Sequence, residues 1–138
     1  MKWELDKNRP ICPQICEQLC ARIAVGEFKP NDRLLSVRAV AVEAGVNPGT
    51  VQKAFERLEA EGLIYSMVGS GWYVGESIDA AKETVGKMVK QKTGSYFESM
   101  RRLGMTNDET KKYTAEFDAD NFEKQNSDKK IQKGSDII

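Results

Sequence analysis

The 138-residue chain contains no histidine, and this absence is the first feature that narrows its function. Histidine is the commonest general base and the commonest metal ligand in proteins. Most hydrolase and metalloenzyme mechanisms therefore lack their usual groups in this chain. The sequence also has no phosphate-binding loop and no nucleophile with a base at a recognisable spacing. We therefore predict that the chain is not an enzyme and that it has no catalytic residue, metal site or cofactor.

Long apolar runs are missing as well. No segment approaches the roughly 20 apolar residues that a membrane-spanning helix needs. The first residues, Met-Lys-Trp-Glu-Leu-Asp-Lys, contain no apolar core of a secretory signal. The only three cysteines, Cys12, Cys16 and Cys20, look unpaired, which fits a reducing compartment. Together these features predict a cytoplasmic protein with no membrane partner.

The chain also has no excess of charge of either sign. Its 21 basic and 21 acidic residues give a formal net charge of zero. They are balanced in each half, with nine of each sign in 1–75 and twelve of each in 76–138. Bulk electrostatic attraction to a polyanion is therefore weak. Any binding to nucleic acid must come from the local placement of positive side chains.

The first regular pattern in the chain is helical and begins after Pro10. Apolar residues recur there at every fourth position, which is typical of one face of an α-helix, and Gly26 ends the pattern. Those apolar residues are Ile11, Ile15, Leu19 and Ile23.

Two shorter helices follow in quick succession. Ser36 is a good N-cap for the first of them, and Gly45 ends it. Asn47 is a good N-cap for the second, Pro48 suits its first position, and Gly62 ends it. Two short helices joined by a tight turn predict a helix-turn-helix.

A β-hairpin is predicted directly after the helix-turn-helix. Residues 63–67 and 72–74 are β-prone, and the connecting segment 68–71 carries two glycines. A helix-turn-helix followed by such a hairpin, the wing, is a winged helix.

Helical periodicity returns over 77–104, weakened at Gly86 and at 94–95. Thr106 and Glu109 then form the capping-box pattern of another helix. From 125 the sequence is polar and charged, without a core-forming period. We therefore predict an α+β chain with a winged helix-turn-helix over 1–76, a short helical appendage over 77–124 and a disordered tail over 125–138.

The start of the third helix carries the groups that a DNA-reading helix needs. Its first-turn N–H groups suit a phosphate oxygen, and a helix enters the major groove by this end. Gln52 can form paired hydrogen bonds with adenine, and Lys53 can contact phosphate or guanine. The candidate DNA-binding residues on the two helices and in the hairpin turn are Arg38, Asn47, Gly49, Thr50, Gln52, Lys53, Gly69 and Ser70.

Two other interpretations of these residues stay open. They fit an ordinary polar surface on a small α+β domain. Many winged helices also bind protein rather than DNA, and that use would explain the neutral charge and the uncharged wing.

Residues 10–75 resemble the DNA-binding domain of GntR-family transcription regulators, in order and without gaps. The matching stretches are Pro-Ile-(x)3-Ile at 10–15, Ile-(x)2-Gly-Glu-(x)-Lys-Pro at 23–30, Asp-Arg-Leu-Leu-Ser-Val-Arg at 32–38, Gly-Val-Asn-Pro-Gly-Thr-Val-Gln-Lys-Ala at 45–54, Leu-Glu-Ala-Glu-Gly-Leu-Ile at 58–64 and Gly-Ser-Gly-Trp-Tyr-Val at 69–74. The remainder is similar to the short two-helix tail of the YtrA-type subfamily, with Arg-Leu-Gly-Met-Thr at 102–106 as the junction.

The resemblance implies a homodimer that binds double-stranded DNA, with each winged helix contacting one half of an inverted repeat. Our interpretation is a repressor, on which an unidentified effector would act by changing the separation of the two recognition helices or its flexibility. Carried over by position, the family's DNA contacts fall on Arg38, Asn47, Gly49, Thr50, Gln52 and Gly69.

The chain departs from the family pattern in two places. Leu35 stands where proline is usual, so the entry to the second helix is expected to be less rigid. Met67 and Val68 stand where the wing usually carries an arginine or lysine. Without that cation, we expect weaker contact between the wing and the minor groove and a shallower dependence of binding on salt.

The apolar stripe of the 77–104 segment predicts the dimer contact. The stripe could pack on its own winged helix, but a long helix on so small a domain leaves apolar surface that a symmetric partner would cover. The predicted dimer residues are Val85, Met88, Val89, Tyr96, Phe97, Met100 and Leu103.

The cysteines admit a second functional hypothesis. Cys12, Cys16 and Cys20 are spaced four apart on the first helix, so adjacent thiolates could oxidise or bind a soft metal. Alternatively they pack as small apolar residues, which is what the family carries at the first two positions. The third lies where a polar residue is more usual, so we expect Cys20 to be exposed.

Overall fold

A computed structural model of the chain describes residues 2–136, with side chains described over 2–128. Its elements, in chain order, are α1 (Ile11–Ala24), α2 (Val37–Ala44), α3 (Pro48–Ala60), β1 (Ile64–Met67), β2 (Gly71–Val74), α4 (Asp79–Arg102), α5 (Asn107–Glu116) and α6 (Ala119–Asp136). The chain divides into two compact units, one up to Gln91 and one from Lys92.

The helix-turn-helix forms where its capping residues predict it. The Ser36 side chain accepts a hydrogen bond from the Ala39 N–H at 3.1 Å and begins α2. Gly45 then adopts a left-handed conformation, with φ of 68°, and ends it. This conformation strains residues with a Cβ atom but not glycine, so Gly45 lets the chain turn directly into α3.

The wing is an antiparallel pair of strands in which Ile64 faces Val74 and Met67 faces Gly71. A short segment on the other side of β2 extends this sheet, because Arg33 forms a β-bridge with Tyr73. The segment therefore ties the start of the helix-turn-helix to the wing.

The hydrophobic core of the first unit lies between α1, α3 and the wing. Phe55, Ile15 and Leu19 are among its largest fully buried side chains. Phe55 also packs edge-on against Trp72 of β2, with 5.5 Å between ring centroids. The face of α3 that contacts α1 is therefore apolar, while its N-terminal turn lies at the surface.

The N-terminal segment runs along α1 in the opposite direction, with Trp3 beside Arg22, Glu4 beside Gln18 and Asp6 beside Gln14. The Gln14 amide accepts from the Asp6 N–H at 2.7 Å and donates to the Asp6 and Pro10 carbonyls, each at 2.9 Å. Trp3 lies under the Arg22 guanidinium, whose carbon is 4.4 Å from the ring centroid. Gln14 is buried, and these bonds satisfy its polar atoms.

The second unit begins within the last part of α4. The predicted capping box is present: the Glu109 N–H donates to Thr106 Oγ1 at 3.1 Å, and the Thr106 N–H donates to Glu109 Oε1 at 3.0 Å. The hydrogen bonds from Thr106 lower the pKa of the Glu109 carboxyl, because they stabilise its charged form.

The end of the chain differs from the prediction of a disordered tail over 125–138. Helix α6 runs from Ala119 to Asp136, and residues 137 and 138 lie outside the described residues. Asp118 caps the start, accepting from the Asn121 N–H at 3.0 Å. Lysine, glutamate and glutamine, which are common in this segment, have good helix propensity without contributing to a core. The polarity that predicted disorder is therefore also compatible with an exposed helix.

Candidate nucleic-acid interface

The N-terminal turn of α3 is the centre of the candidate interface. Asn47 is exposed, and its side-chain oxygen accepts from the Gly49 N–H at 2.7 Å. A Cβ atom at Gly49 would lie 3.1 Å from that oxygen, so glycine leaves room for the cap. Lys53 is exposed and Thr50 is half-buried. The N–H groups of Gly49 and Thr50 both donate to Asn47, so the groups that this turn offers on its accessible surface are the Asn47 side chain, a hydroxyl and an ammonium group.

Gln52 is restrained by a neighbour on the same helix. Its amide Nε2 donates to Glu56 Oε1 at 3.1 Å. To form paired hydrogen bonds with a base, the Gln52 amide would have to give up its hydrogen bond to Glu56. That bond is exposed to solvent.

The tip of the wing is a glycine turn. Gly69 has a φ of 75°, and the Ser70 N–H donates to the Met67 carbonyl at 3.0 Å. The Ser70 hydroxyl forms a hydrogen bond with the Tyr73 hydroxyl. Gly69 is therefore the exposed member of the predicted pair, while the half-buried Ser70 is engaged within the hairpin.

Arg33 is a residue that sequence reasoning did not select. Its guanidinium donates from Nη2 to the Ser70 carbonyl at 2.6 Å, and it lines a groove of about 310 Å³ together with Arg38 and Trp72. The sequence gives little indication of a role for Arg33, which is one of seven residues in the Asp-Arg-Leu-Leu-Ser-Val-Arg stretch that matches the family. Its position at the wing depends on the pairing of two distant segments.

The cysteines lie in the interior of the first unit. Cys16 is 9% exposed and its thiol donates to the Ala54 carbonyl at 3.5 Å. Burial, and secondarily the neighbouring Cys12, raises the pKa of Cys16 to about 12. Burial also raises the pKa of Cys20. Since the thiolate is the form that oxidises or binds metal, burial disfavours sensor chemistry at these two thiols.

The expectation that Cys20 is exposed is wrong. Cys20 is 1% exposed, and its thiol donates to the Ala81 carbonyl at 3.6 Å. The first turns of α4 cover this face of α1 and exclude water from it. Within the described residues, no group of three or more histidine, cysteine or acidic side chains could hold a metal ion.

The predicted dimer residues divide into two groups. Val85 and Met88 pack against the core of their own unit, so part of the stripe serves the winged helix. Val89, Tyr96 and Leu103 are exposed, and Phe97 and Met100 are half-buried. The exposed group is the part that a second copy could cover.

This fold, with α3 packed beside a glycine-tipped wing, is that of a winged helix-turn-helix protein. The sequence pattern of "Bacterial regulatory proteins, gntR family" matches residues 13–74. A solved GntR-family transcriptional regulator from Listeria monocytogenes is 30% identical, with a TM-score of 0.74 over 83% of this chain and 100% of that one. The chain belongs to the GntR family of bacterial transcription regulators.

Two curated relatives come from Bacillus subtilis. The uncharacterized HTH-type transcriptional regulator YhcF is 29% identical over 109 residues, 79% of this chain and 90% of that protein. The HTH-type transcriptional repressor YtrA is 42% identical over 83 residues, 59% of this chain and 62% of that protein. The predicted resemblance to GntR and YtrA-type regulators is thereby confirmed, as is the prediction of a regulator rather than an enzyme.

Among the residues that the structure describes, no helix is both long and apolar enough to cross a bilayer.

Proposed function

We propose that this chain represses transcription by binding an inverted-repeat operator in double-stranded DNA as a homodimer. The observation that carries the proposal is the N-terminal turn of α3. There the Asn47 cap, Gly49 and Lys53 are exposed beside the amide of Gln52. A recognition helix enters the major groove by its N-terminal end, and amide and ammonium groups are the side-chain groups that form hydrogen bonds with base edges there.

The repressor role and the dimer rest on further observations. YtrA, a relative at 42% identity, is named a repressor. Exposed apolar side chains at Val89 and Leu103 favour a partner that covers them. A dimer would hold two α3 helices so that they enter successive major grooves about 34 Å apart on one face of the duplex. An effector would act by changing this separation.

The test is a selection of bound DNA from a pool of randomised duplexes at moderate salt, followed by sequencing. Recovery of an inverted repeat with half-sites about one helical turn apart supports the dimeric operator-binding protein. If the folded protein enriches no sequence, the proposal fails, and a winged helix that contacts protein becomes the better interpretation.

Variants separate base contact from backbone contact at the recovered operator. Gln52→Ala is expected to relax sequence preference at one position by about tenfold, because a paired contact to adenine contributes about 1–3 kcal/mol of discrimination. Arg38→Ala is expected to weaken operator and scrambled duplexes alike, because a phosphate contact does not depend on sequence. Fluorescence anisotropy with single-base operator variants measures both effects. An equal loss on every operator variant for Gln52→Ala would contradict its role in base recognition.

A further inference from the structure

The wing has no positive charge of its own. No lysine or arginine occurs between Leu58 and Ala81. Met67 and Val68 are exposed where a cation would meet the DNA backbone. A carboxylate of α3 also lies beside the wing, since Glu59 Oε2 accepts from the Ser66 N–H and hydroxyl, both at 2.8 Å. Taken alone, the hairpin is poorly suited to approach a polyanion.

Arg33 reaches the wing from another part of the chain. Its segment runs along β2, with the Leu34 N–H donating to the Trp72 carbonyl at 2.9 Å. The guanidinium then extends to the wing tip and bonds the Ser70 carbonyl at 2.6 Å. A Cβ at Gly71 would lie 3.6 Å from the Arg33 Nε and Nη2 atoms, so the guanidinium lies against bare backbone at this position.

A second guanidinium lines the same groove. Arg38 lies on α2, and the groove of about 310 Å³ between α2 and the wing is also lined by Ser36, Ser70 and Trp72. Both arginines are exposed, and among the described residues neither forms an ion pair with a carboxylate. Two guanidinium groups without a carboxylate partner, beside the Ser36 hydroxyl, form a site that favours an anion.

We propose that Arg33 and Arg38 together bind one phosphodiester of the DNA backbone in this groove, and that Arg33 thereby supplies the positive charge that the wing lacks. One N–H of Arg33 is used by the Ser70 carbonyl, which fixes the direction of the guanidinium. The other donors remain for phosphate oxygens, because guanidinium has five N–H groups in a planar fork. This inference rests on the proposed binding to DNA and adds a contact outside the recognition helix.

The proposal predicts a sequence-independent effect. Arg33→Ala is expected to weaken binding to the selected operator and to a scrambled duplex of the same length by the same factor, about tenfold. The slope of log K against log salt concentration is expected to fall by about 0.9, the amount for one phosphate contact in B-form DNA. Fluorescence anisotropy titrations at several salt concentrations measure both quantities.

Two further variants separate a charge effect from a structural one. Arg33→Gln keeps a side chain with N–H donors, although it is two bonds shorter than arginine, and removes the charge. The slope is therefore expected to fall by the same amount, about 0.9. Arg57→Ala is the matched control. It also removes one arginine, but Arg57 lies near the C-terminal end of α3 and pairs with Glu61 at 3.9 Å. It is expected to leave affinity and slope nearly unchanged.

The outcomes distinguish this inference from the proposed function. If Arg33→Gln keeps wild-type affinity and slope while Arg33→Ala does not, Arg33 only supports the wing and the phosphate site is wrong. If both variants bind as the wild type does while Arg38→Ala is weakened, the site is also wrong, although DNA binding stands. If the wild-type protein binds neither duplex at any salt concentration, both proposals fail.

Discussion

At the scale of single residues, burial decides which side chains are available for chemistry. Cys16 contacts the Ala54 carbonyl inside the core, and its raised pKa keeps it as the neutral thiol at neutral pH. The spacing of four residues between the cysteines favours a thiol sensor when only the sequence is considered. In the fold, the same spacing places Cys16 and Cys20 in the core, where they pack as apolar side chains. Cys12, which is half-buried, is the most accessible of the three thiols.

The raised pKa of Cys16 predicts a loss of stability in alkali. The unfolded thiol loses its proton near pH 9, but the folded thiol does so only near pH 12. The unfolded state therefore binds fewer protons between these values, and stability that is complete below pH 9 falls as pH rises through this window. At pH 10 we expect Cys16 to account for a loss of about 1 kcal/mol, measured by urea unfolding at pH 8 and pH 10.

Cys16→Val provides the comparison, because it removes the titrating group and leaves the lysines and tyrosines in place. The stability of this variant is expected to fall less between pH 8 and pH 10 than that of the wild type. Equal losses in the two proteins would show that the Cys16 thiol does not contribute.

At the scale of elements, the turn of the helix-turn-helix depends on one backbone conformation. Gly45 has a φ of 68°, and a Cβ there would meet no atom within 4 Å. Only the strain of the left-handed conformation therefore opposes a side chain. We expect Gly45→Ala to lower the free energy of unfolding by about 1 kcal/mol, measured by urea unfolding.

Gly86 provides the control for the substitution at Gly45. It lies inside α4, and a Cβ there also meets no atom within 4 Å. Since alanine is the better helix former, Gly86→Ala is expected to raise the free energy of unfolding by about 0.5–1 kcal/mol. Changes of the same sign at the two positions would contradict the conformational explanation.

The elements that could be predicted from sequence are those fixed by neighbours in the chain. Ser36, Asn47 and Thr106 each cap a helix through a hydrogen bond to a residue two or three positions away. The hairpin likewise follows from two β-prone runs around a glycine turn. Such signals lie within a few residues of one another, so the sequence contains them in full.

The features that could not be predicted depend on contacts between distant segments. Arg33 meets Ser70 across 37 positions, and Cys20 lies against Ala81 across 61. The periodicity of α1 indicates one buried face but not that the first turns of α4 cover a further part of the helix. The candidate recognition residues on α3 were found because they are local, while Arg33 was missed because its role depends on the topology of the sheet.

At the scale of the whole molecule, the proposed homodimer would cover apolar side chains that the single chain leaves exposed. Leu103, just after α4, is 78% exposed and belongs to the predicted dimer stripe. We expect Leu103→Asp to weaken self-association at least tenfold, because a buried carboxylate in an apolar interface lacks a partner. Sedimentation equilibrium over a range of protein concentrations measures this change.

Val42→Asp is the control for the dimer. Val42 is 82% exposed on α2, outside the stripe, and the substitution introduces the same charge at a residue of similar exposure. It is expected to leave self-association unchanged. If both variants associate as the wild type does, Leu103 lies outside any interface between copies.

Trp72 places an intrinsic fluorophore in the groove between α2 and the wing. Its indole lines the groove with Arg33 and Arg38 and packs edge-on against Phe55 of α3. The second of the two tryptophans, Trp3, belongs to the N-terminal segment and packs under Arg22 of α1. One intrinsic fluorophore thus lies where a phosphate would enter and the other lies apart from it, so occupation of the groove can be followed in real time on the unlabelled protein.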